Sequence, residues 1–367
     1  MNILHITNDY FNSLVYKQLN YRLLANNVNS FVFVPSANRD AYKKDRNVFQ
    51  SKCFNRVDRF FFLRKQRKIV KELRKKIAEL NPDILHGHFI FSSGYACMQI
   101  KKEYNIPYIV TAQSADVNIF FKYMIHLRGT GIQVMLNADK VVFSSRTLRD
   151  FVISRYVPAK LRSRILEKTV LKPFGIDDFW LKNLGTKYRN THDKILHLIT
   201  VGVINRNKNQ LTVARAVNFL NGCGYKPIYT VVGEIKDETI YRKLIKYPFV
   251  RHIQNCPKEE LIEHYRQADI FVMPSITETF GLVYAEAMSQ GLPVIYSAGQ
   301  GFDGQFHEGD VGYRVDCLNT DEIAQRIIDV YSNHRNLSER CVRLSNKFDW
   351  GDITEAYIDL YNEAIKK

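Results

Sequence analysis

Short apolar runs recur along the chain, and stretches of helical period lie between them. Runs at Ile3–Thr7, Ser30–Val34, Ile84–His86, Tyr108–Thr111, Lys140–Phe143 and Lys168–Lys172 predict strands. Arg64–Leu80 and Tyr95–Tyr104 carry apolar positions at helical spacing. The second half repeats the theme, with strands predicted at Ile195–Val201, Ile228–Val232, Asp269–Met273 and Pro293–Tyr296, and helices at Gln210–Asn221, Lys258–Gln267 and Gly281–Gln290. Strands alternating with helices argue for α/β architecture, with parallel sheets covered on both faces. The polar stretch Asp177–Asp193 breaks the alternation. It divides the chain into domains at 1–185 and 186–348, and a stripe of Ile353, Ala356, Tyr357, Leu360, Tyr361 and Ala364 predicts a packing helix within 349–367. Two Rossmann-like, doubly wound domains take ligands at the carboxyl ends of their strands. Facing one another across a central cleft, they would bring two substrates together.

Composition narrows the class. The 367 residues are 46% hydrophobic and 25% charged, an ordinary globular balance. No apolar run approaches the ~20 residues of a membrane span, and the opening MNILHI reads as a first strand and not a signal peptide. Six scattered cysteines without a C-x-x-C point to reduced thiols in the cytoplasm. Charge is uneven: residues 1–185 hold 31 Lys+Arg against 14 Asp+Glu, whereas the remainder holds 22 against 23. The whole basic excess lies in the first half, which favours an anionic surface or ligand.

The stretch TETFGLVYAEAMSQGLPVI, Thr277–Ile295, carries the densest chemistry. It follows a strand and opens a helix near Gly281, where free N–H groups and the helix dipole attract anions. Glu278 lies just outside that end and Glu286 about two turns in, roughly 12 Å along the axis at 1.5 Å per residue. Such a layout fits a phosphate in the middle and a hydroxyl-rich group at each end, as in a nucleotide sugar. Two glutamates at this spacing alone are more often a surface residue and a helix cap; the full Ser-x-x-Glu-x-Phe-Gly-x4-Glu-Ala-Met-x2-Gly-x-Pro string is far more specific.

That string resembles the family 4 glycosyltransferases, retaining enzymes of the GT-B fold. Val201-Gly202 with Lys208-Asn209-Gln210 is similar to the family's donor-phosphate loop, and KPFGID (Lys172–Asp177) to the segment before its linker. DILHGH (Asp83–His88) and PYIVTAQSAD (Pro107–Asp116) resemble two acceptor-domain strand ends, and Phe348-Asp349-Trp350 the last element, whose helix returns to the first domain. The resemblance implies that Glu286 binds ribose hydroxyls and Glu278 the donor sugar. It implies that the backbone of Phe280, Gly281 and Leu282 meets the pyrophosphate with Lys208 as counter-charge, and that Gly202 and Asn209 line the donor site. Physics agrees: breaking the sugar–phosphate bond puts charge on the leaving phosphate, where a lysine and a helix N-terminus stabilise the transition state. A diphosphate leaves readily and can take the incoming hydroxyl's proton, which suits same-face attack with retention.

The chain departs from the family pattern at three places. Val203 stands where an arginine usually follows the glycine; Arg206, three residues on, either reaches the same phosphate or is a solvated loop residue. Gln113 replaces a histidine and can hydrogen-bond a sugar but not take a proton. TNDYFNSLVYK, after the first strand, lacks the glycine-rich loop, leaving Asn8 and Ser13 as candidates there. On the acceptor side the expected residues are His88, Gln113 and Asp116, and the base pocket is expected near Gln254–Pro257. His86 and His88 flank Gly87 with no carboxylate or cysteine nearby, and no Asp-x-Asp occurs, so no metal or other cofactor is expected. GQGFDG (Gly299–Gly304) matches G-x-G-x-x-G without a following helix pattern and reads as a flexible loop beside the donor.

Arg56–Lys76 holds ten Lys/Arg and two Asp/Glu, with Ile69, Val70, Leu73 and Ile77 on the opposite, core face. Its basic face is either solvated or rests on anionic lipid; no nucleic-acid motif accompanies it. The expected function is a cytoplasmic, metal-independent retaining glycosyltransferase, with the inner face of the membrane as the expected peripheral location. It would join a nucleotide-sugar donor to a saccharide or lipid-linked saccharide acceptor, similar to bacterial capsular and O-antigen polysaccharide enzymes. Its rivals are a nucleotide-sugar epimerase of the same fold and, more remotely, a nucleic-acid-binding protein.

Overall fold

The computed structural model describes residues 1–37, 45–185 and 194–366. They fall into two compact units: residues 1–144, 149–174 and 350–367 in one, and 145–148 with 175–349 in the other. The main change of unit comes at 174–175, ahead of the boundary expected at 185. Local contacts explain the shift. Asp177 pairs with Lys258 at 2.7 Å, the Trp180 ring meets Tyr265 edge-on, and the Gly185 N–H donates to the Ser289 carbonyl. These tie the start of the polar stretch to the second unit; residues 186–193 of it lie outside the described residues.

The first unit is built on seven parallel strands, β1 (Asn2–Ile6), β2 (Asn29–Ser36), β3 (Val48–Lys52), β4 (Ile84–Gly87), β5 (Tyr108–Thr111), β6 (Lys140–Phe143) and β7 (Thr169–Leu171). Their order is β3-β2-β1-β4-β5-β6-β7, the doubly wound pattern. The second unit has β8 (Ile195–Val201), β9 (Lys226–Val232), β10 (Val250–Ile253), β11 (Ile270–Val272), β12 (Val294–Ser297) and β13 (Gly312–Val315), ordered β10-β9-β8-β11-β12-β13. Central strands match the expected runs. Apolar periodicity misses β3 and β10 and marks β13 only as strand-like. All three are sheet edges, and β3 and β10 hold no fully buried residue, so neither produces an apolar run.

In the first unit the helix Trp350–Ile365 lays Ile353, Tyr357, Leu360 and Tyr361 against Ile3, Leu19, Leu23, Ile84 and Ile109. Each such large side chain stabilises the unit by about 1.5–3 kcal/mol on burial. The helix Phe62–Leu80 buries Ile69, Val70, Leu73 and Ile77, the face its spacing marks as core. In the second unit the core lies between Leu196, Leu198 and Val231 of the sheet and Val213, Val217 and Leu220 of the helix Gln210–Gly222.

Candidate active site

Carboxyl ends of β8 and β11 bring the donor-side residues together in the second unit. After β8, Gly202 bonds to the end of β9 through its N–H and the Val232 carbonyl, and the chain loops through 203–209 into the helix Gln210–Gly222. Asparagines hold this loop. Asn205 Oδ1 accepts the Lys208 N–H at 2.9 Å. Asn207 grips the Thr277 backbone twice, donating to its carbonyl at 2.9 Å and accepting its N–H at 3.0 Å. Asn209 sits in the left-handed region and donates to the carbonyls of Pro274 and Cys317 at 3.0 and 2.6 Å, while its Oδ1 accepts from Thr212. The Asn209 amide thus joins three loops, a bracing role beside the donor contact expected of it. Periodicity cannot mark Asn205 or Asn207, because they act on the backbone some 70 residues away or within one turn.

The result of this bracing is a salt bridge. Lys208 Nζ lies 2.6 Å from Glu278 Oε2, and both side chains are mostly buried. Glu278 is held further by the Thr279 N–H on Oε1 (3.2 Å) and the Ser275 hydroxyl on Oε2 (3.4 Å), and its own N–H donates to Gln300 Oε1 at 2.9 Å. Gly281 caps the next helix, Leu282–Ser289, with φ of 76°. A Cβ there would lie 2.5 Å from the Tyr284 ring, so only glycine fits both the backbone and the space. The Leu282 and Val283 amides that open this helix have no acceptor four residues back within it, the Tyr284 N–H donates to the Gly281 carbonyl at 3.0 Å, and all lie one short turn from the Lys208–Glu278 pair in sequence. Phe280 contributes backbone alone, its ring buried edge-on to Phe348. Arg206 is exposed in the β8 loop, with no hydrogen bond or ion pair among the described residues.

The stretch 299–304 is a bonded turn and not the flexible loop expected. Gly299 donates to Asp303 Oδ2, Asp303 N–H to the Gln300 carbonyl, and Gly301 N–H to the Glu278 carbonyl. A Cβ on Gly301 would collide with the Thr279 carbonyl, so the close backbone approach explains this glycine. No helix follows, which removes the dinucleotide reading.

Glu286 projects from the middle of the helix Leu282–Ser289 and is half-buried. Burial pushes its carboxyl up to about 7, the Tyr265 phenol and Lys258 pull it down, and Asp177 pushes it further up. The Tyr265 hydroxyl is buried and makes no hydrogen bond among the described residues, which leaves it open to a ligand beside Glu286. Lys258 is held on Asp177 at 2.7 Å, so this ion pair sets the field around Glu286 from the side.

The acceptor-side residues lie in the first unit and behave differently. Asp116 is fully buried and its carboxylate accepts the N–H groups of Ile90, Phe91 and Gln113 at 3.0, 3.1 and 2.9 Å. It organises the loops after β4 and β5, a scaffold role beside the acceptor contact expected of it. Burial raises its pKa to about 7 against the pull of those amides. His88 is buried too, its Nε2 2.9 Å from His5 Nδ1 and its ring stacked on that of His5, with the His86 and Tyr16 rings tilted against it. His86 bonds Tyr361 and Thr111, both at 2.8 Å. Burial lowers the pKa of all three imidazoles, that of His5 to about 3, so they are neutral at pH 7. The strand register His5↔His86, invisible to local periodicity, puts His5 in this set. Gln113 keeps a buried side-chain amide nitrogen with no hydrogen-bond partner among the described residues. Asn8 is exposed and accepts from Ser92 at 3.3 Å.

Comparison with known proteins accounts for both units. A profile described as Glycosyltransferase Family 4 matches residues 15–165, and one described as Glycosyl transferases group 1 matches 187–348. The chain is 23% identical over 299 residues to an uncharacterised glycosyltransferase of Methanocaldococcus jannaschii, covering 77% of this chain and 75% of that protein. It is 32% identical over 133 residues to the D-inositol 3-phosphate glycosyltransferase of Corynebacterium kroppenstedtii, a match covering 35% of this chain and 30% of that protein. Among solved structures, sucrose-phosphate synthase from Thermosynechococcus elongatus superposes with a TM-score of 0.75 at 20% identity, over 99% of this chain and 98% of that one. HepE of Anabaena, solved with UDP and glucose, gives 0.67 at 14%, over 99% and 100%. With each half matched by its own profile and the two-sheet architecture shared with these structures, the chain belongs to the family 4 glycosyltransferases of the GT-B fold.

Proposed function

We propose that the protein moves a sugar from a nucleotide-sugar donor to a saccharide hydroxyl, with retention at the anomeric carbon. The observation that carries this is the Lys208–Glu278 pair beside the glycine-capped start of the helix Leu282–Ser289. A donor diphosphate offers Lys208 a second anionic partner and the first-turn amides an acceptor. Glu278, released in part, takes sugar hydroxyls, and Glu286 with Tyr265 takes the ribose. The anomeric carbon–oxygen bond breaks with its electron pair going to the leaving phosphate, where Lys208, the amides and Arg206 stabilise the charge. The acceptor hydroxyl attacks from the same face and passes its proton to that phosphate. Lys208 and Arg206 supply the counter-charge in place of a divalent cation. The relatives' names support sugar transfer, and the UDP bound in the HepE structure supports a nucleotide donor; the basic excess of residues 1–185 favours a lipid-linked acceptor at an anionic membrane, in surface polysaccharide assembly on the cytoplasmic side. No helix among the described residues is long and apolar enough to cross a membrane.

Calorimetry with a panel of nucleoside diphosphates and nucleotide sugars, in EDTA, tests the donor site. One nucleotide class should bind, and Glu286→Ala should weaken it. Binding of none would overturn the transferase reading, and sugar altered without any acceptor would favour an epimerase.

A further inference from the structure

Two short segments of the first unit expose large apolar side chains where loops leave the carboxyl ends of β3 and β5. Phe60, Phe61 and Leu63 are 87%, 56% and 49% exposed; Ile119, Tyr123 and Ile125 are 49%, 69% and 64% exposed. They belong to one surface, because the Phe62 ring between the first three meets Phe120 of the second segment edge-on at 6.1 Å, and Phe120 stacks on Phe91. Both segments are held from beneath. Asp58 is buried and clasps Arg64 at 3.0 Å, Lys68 at 2.7 Å and the Asn55 N–H at 2.8 Å. Arg128 donates to the Phe121 and Lys122 carbonyls at 2.7 and 3.4 Å. Bracing on both sides keeps these side chains pointing out, when a loose loop would fold them in.

Charge surrounds the patch. Arg56, Arg67, Lys71 and Lys122 are exposed around it, while the acids within these segments, Asp58 and Asp116, are both buried and bonded. Glu72, beside Lys71, is partly exposed and paired with Lys75 at 2.8 Å, which leaves the rim predominantly basic. A protein partner could cover apolar surface alone, but an apolar centre inside a predominantly basic rim matches the headgroup boundary of an anionic bilayer: apolar side chains enter the acyl edge while Lys and Arg stay at the phosphates. The patch also follows β3 and β5 on the same sheet end as His88 and Gln113. We propose that these two segments insert into an anionic membrane surface and hold the acceptor end of the first unit at the lipid headgroups. This deepens the reading of a lipid-linked acceptor and rests on it.

The full chain is sedimented with phosphatidylcholine vesicles containing phosphatidylglycerol, and with phosphatidylcholine alone. Binding to the anionic vesicles is expected, and Phe60→Ser/Phe61→Ser and Tyr123→Ser/Ile125→Ser should each weaken it by about tenfold at unchanged charge and melting temperature. Arg67→Gln/Lys71→Gln should weaken it less and reduce its salt dependence. Wild-type protein that stays in the supernatant overturns the proposal. So does binding that ignores the serine pairs, which would be electrostatic alone, or a serine-sensitive binding to single-stranded RNA that exceeds the binding to vesicles. Transfer to a water-soluble saccharide is measured beside it. Its retention with no vesicle binding removes the docking surface alone, and vesicle binding without nucleotide binding removes the transferase reading alone.

Discussion

Asp116 and Glu286 are a matched pair with opposite meanings. Each is a carboxyl that burial raises to about 7. Asp116 has three backbone N–H groups on its two oxygens, all supplied by its own unit, so most of its acceptor capacity is used within the fold. Glu286 has no hydrogen bond to its side chain among the described residues; the buried Tyr265 phenol near it is unpartnered, and the Asp177–Lys258 pair contributes to its field. A shifted pKa alone thus does not separate scaffold from site; the count of internal partners does. The same contrast holds more widely. In the first unit His5, His86, His88 and Asp116 are bonded to their own fold, whereas in the second Lys208 and Glu278 are bonded to each other and can exchange partners when an anion arrives.

The sharpest break in that comparison is Lys208→Ala. Removing one preorganised positive donor to a leaving group costs about 3–4 kcal/mol, so kcat should fall by about 10²–10³-fold with the fold intact. A near-normal kcat in a steady-state assay would remove Lys208 from the transition state. Asp116→Ala should do the reverse. It leaves three buried N–H groups without acceptors and should cost about 3 kcal/mol or more of stability, read as a lower denaturant midpoint. Unchanged stability would mean that its bonds are dispensable and that Asp116 belongs with the ligand contacts after all.

Glu286→Ala should weaken donor affinity by about tenfold, as expected for losing a charged acceptor of hydroxyls, and leave stability nearly unchanged. Its pH dependence sharpens the point. The ionised carboxylate is the better acceptor, so donor affinity should rise as pH increases through about 7 and flatten in Glu286→Gln. A flat wild-type profile would show that ribose does not meet the carboxylate. The smallest effect concerns the histidines. The folded pKa of His5 lies near 3, below its ordinary 6.5, so the unfolded chain takes up the proton first as the solution is acidified. Its share of stability is present above 6.5 and is lost as pH falls below that, by at most about 1.4 kcal/mol per pH unit. His5→Gln should lose less stability than wild type between pH 6.5 and 5; an equal loss would mean that His5 is already protonated in the folded state.

Central strands and amphipathic helices were legible in the chain because burial on one face or two imposes a local apolar period. The grouping of Glu278, Gly281 and Glu286, the residues expected at the donor, was legible for a related reason. They lie on one strand–turn–helix, so their separation in sequence is their separation in space. Edge strands β3 and β10 escaped, because a strand paired on one side needs no buried run. Local sequence also could not say that Asn209 joins three loops, that Asp116 serves amides at 90 and 91, or that His5 lies beside His86. Sequence by itself determined the alternation of elements, the family and the chemistry assembled on one short segment. Tertiary structure alone decided which polar side chains are bonded within the fold and which stay exchangeable. Hydrogen bonds are satisfied by whatever the fold brings within about 3 Å, and periodicity carries no record of partners a hundred residues away.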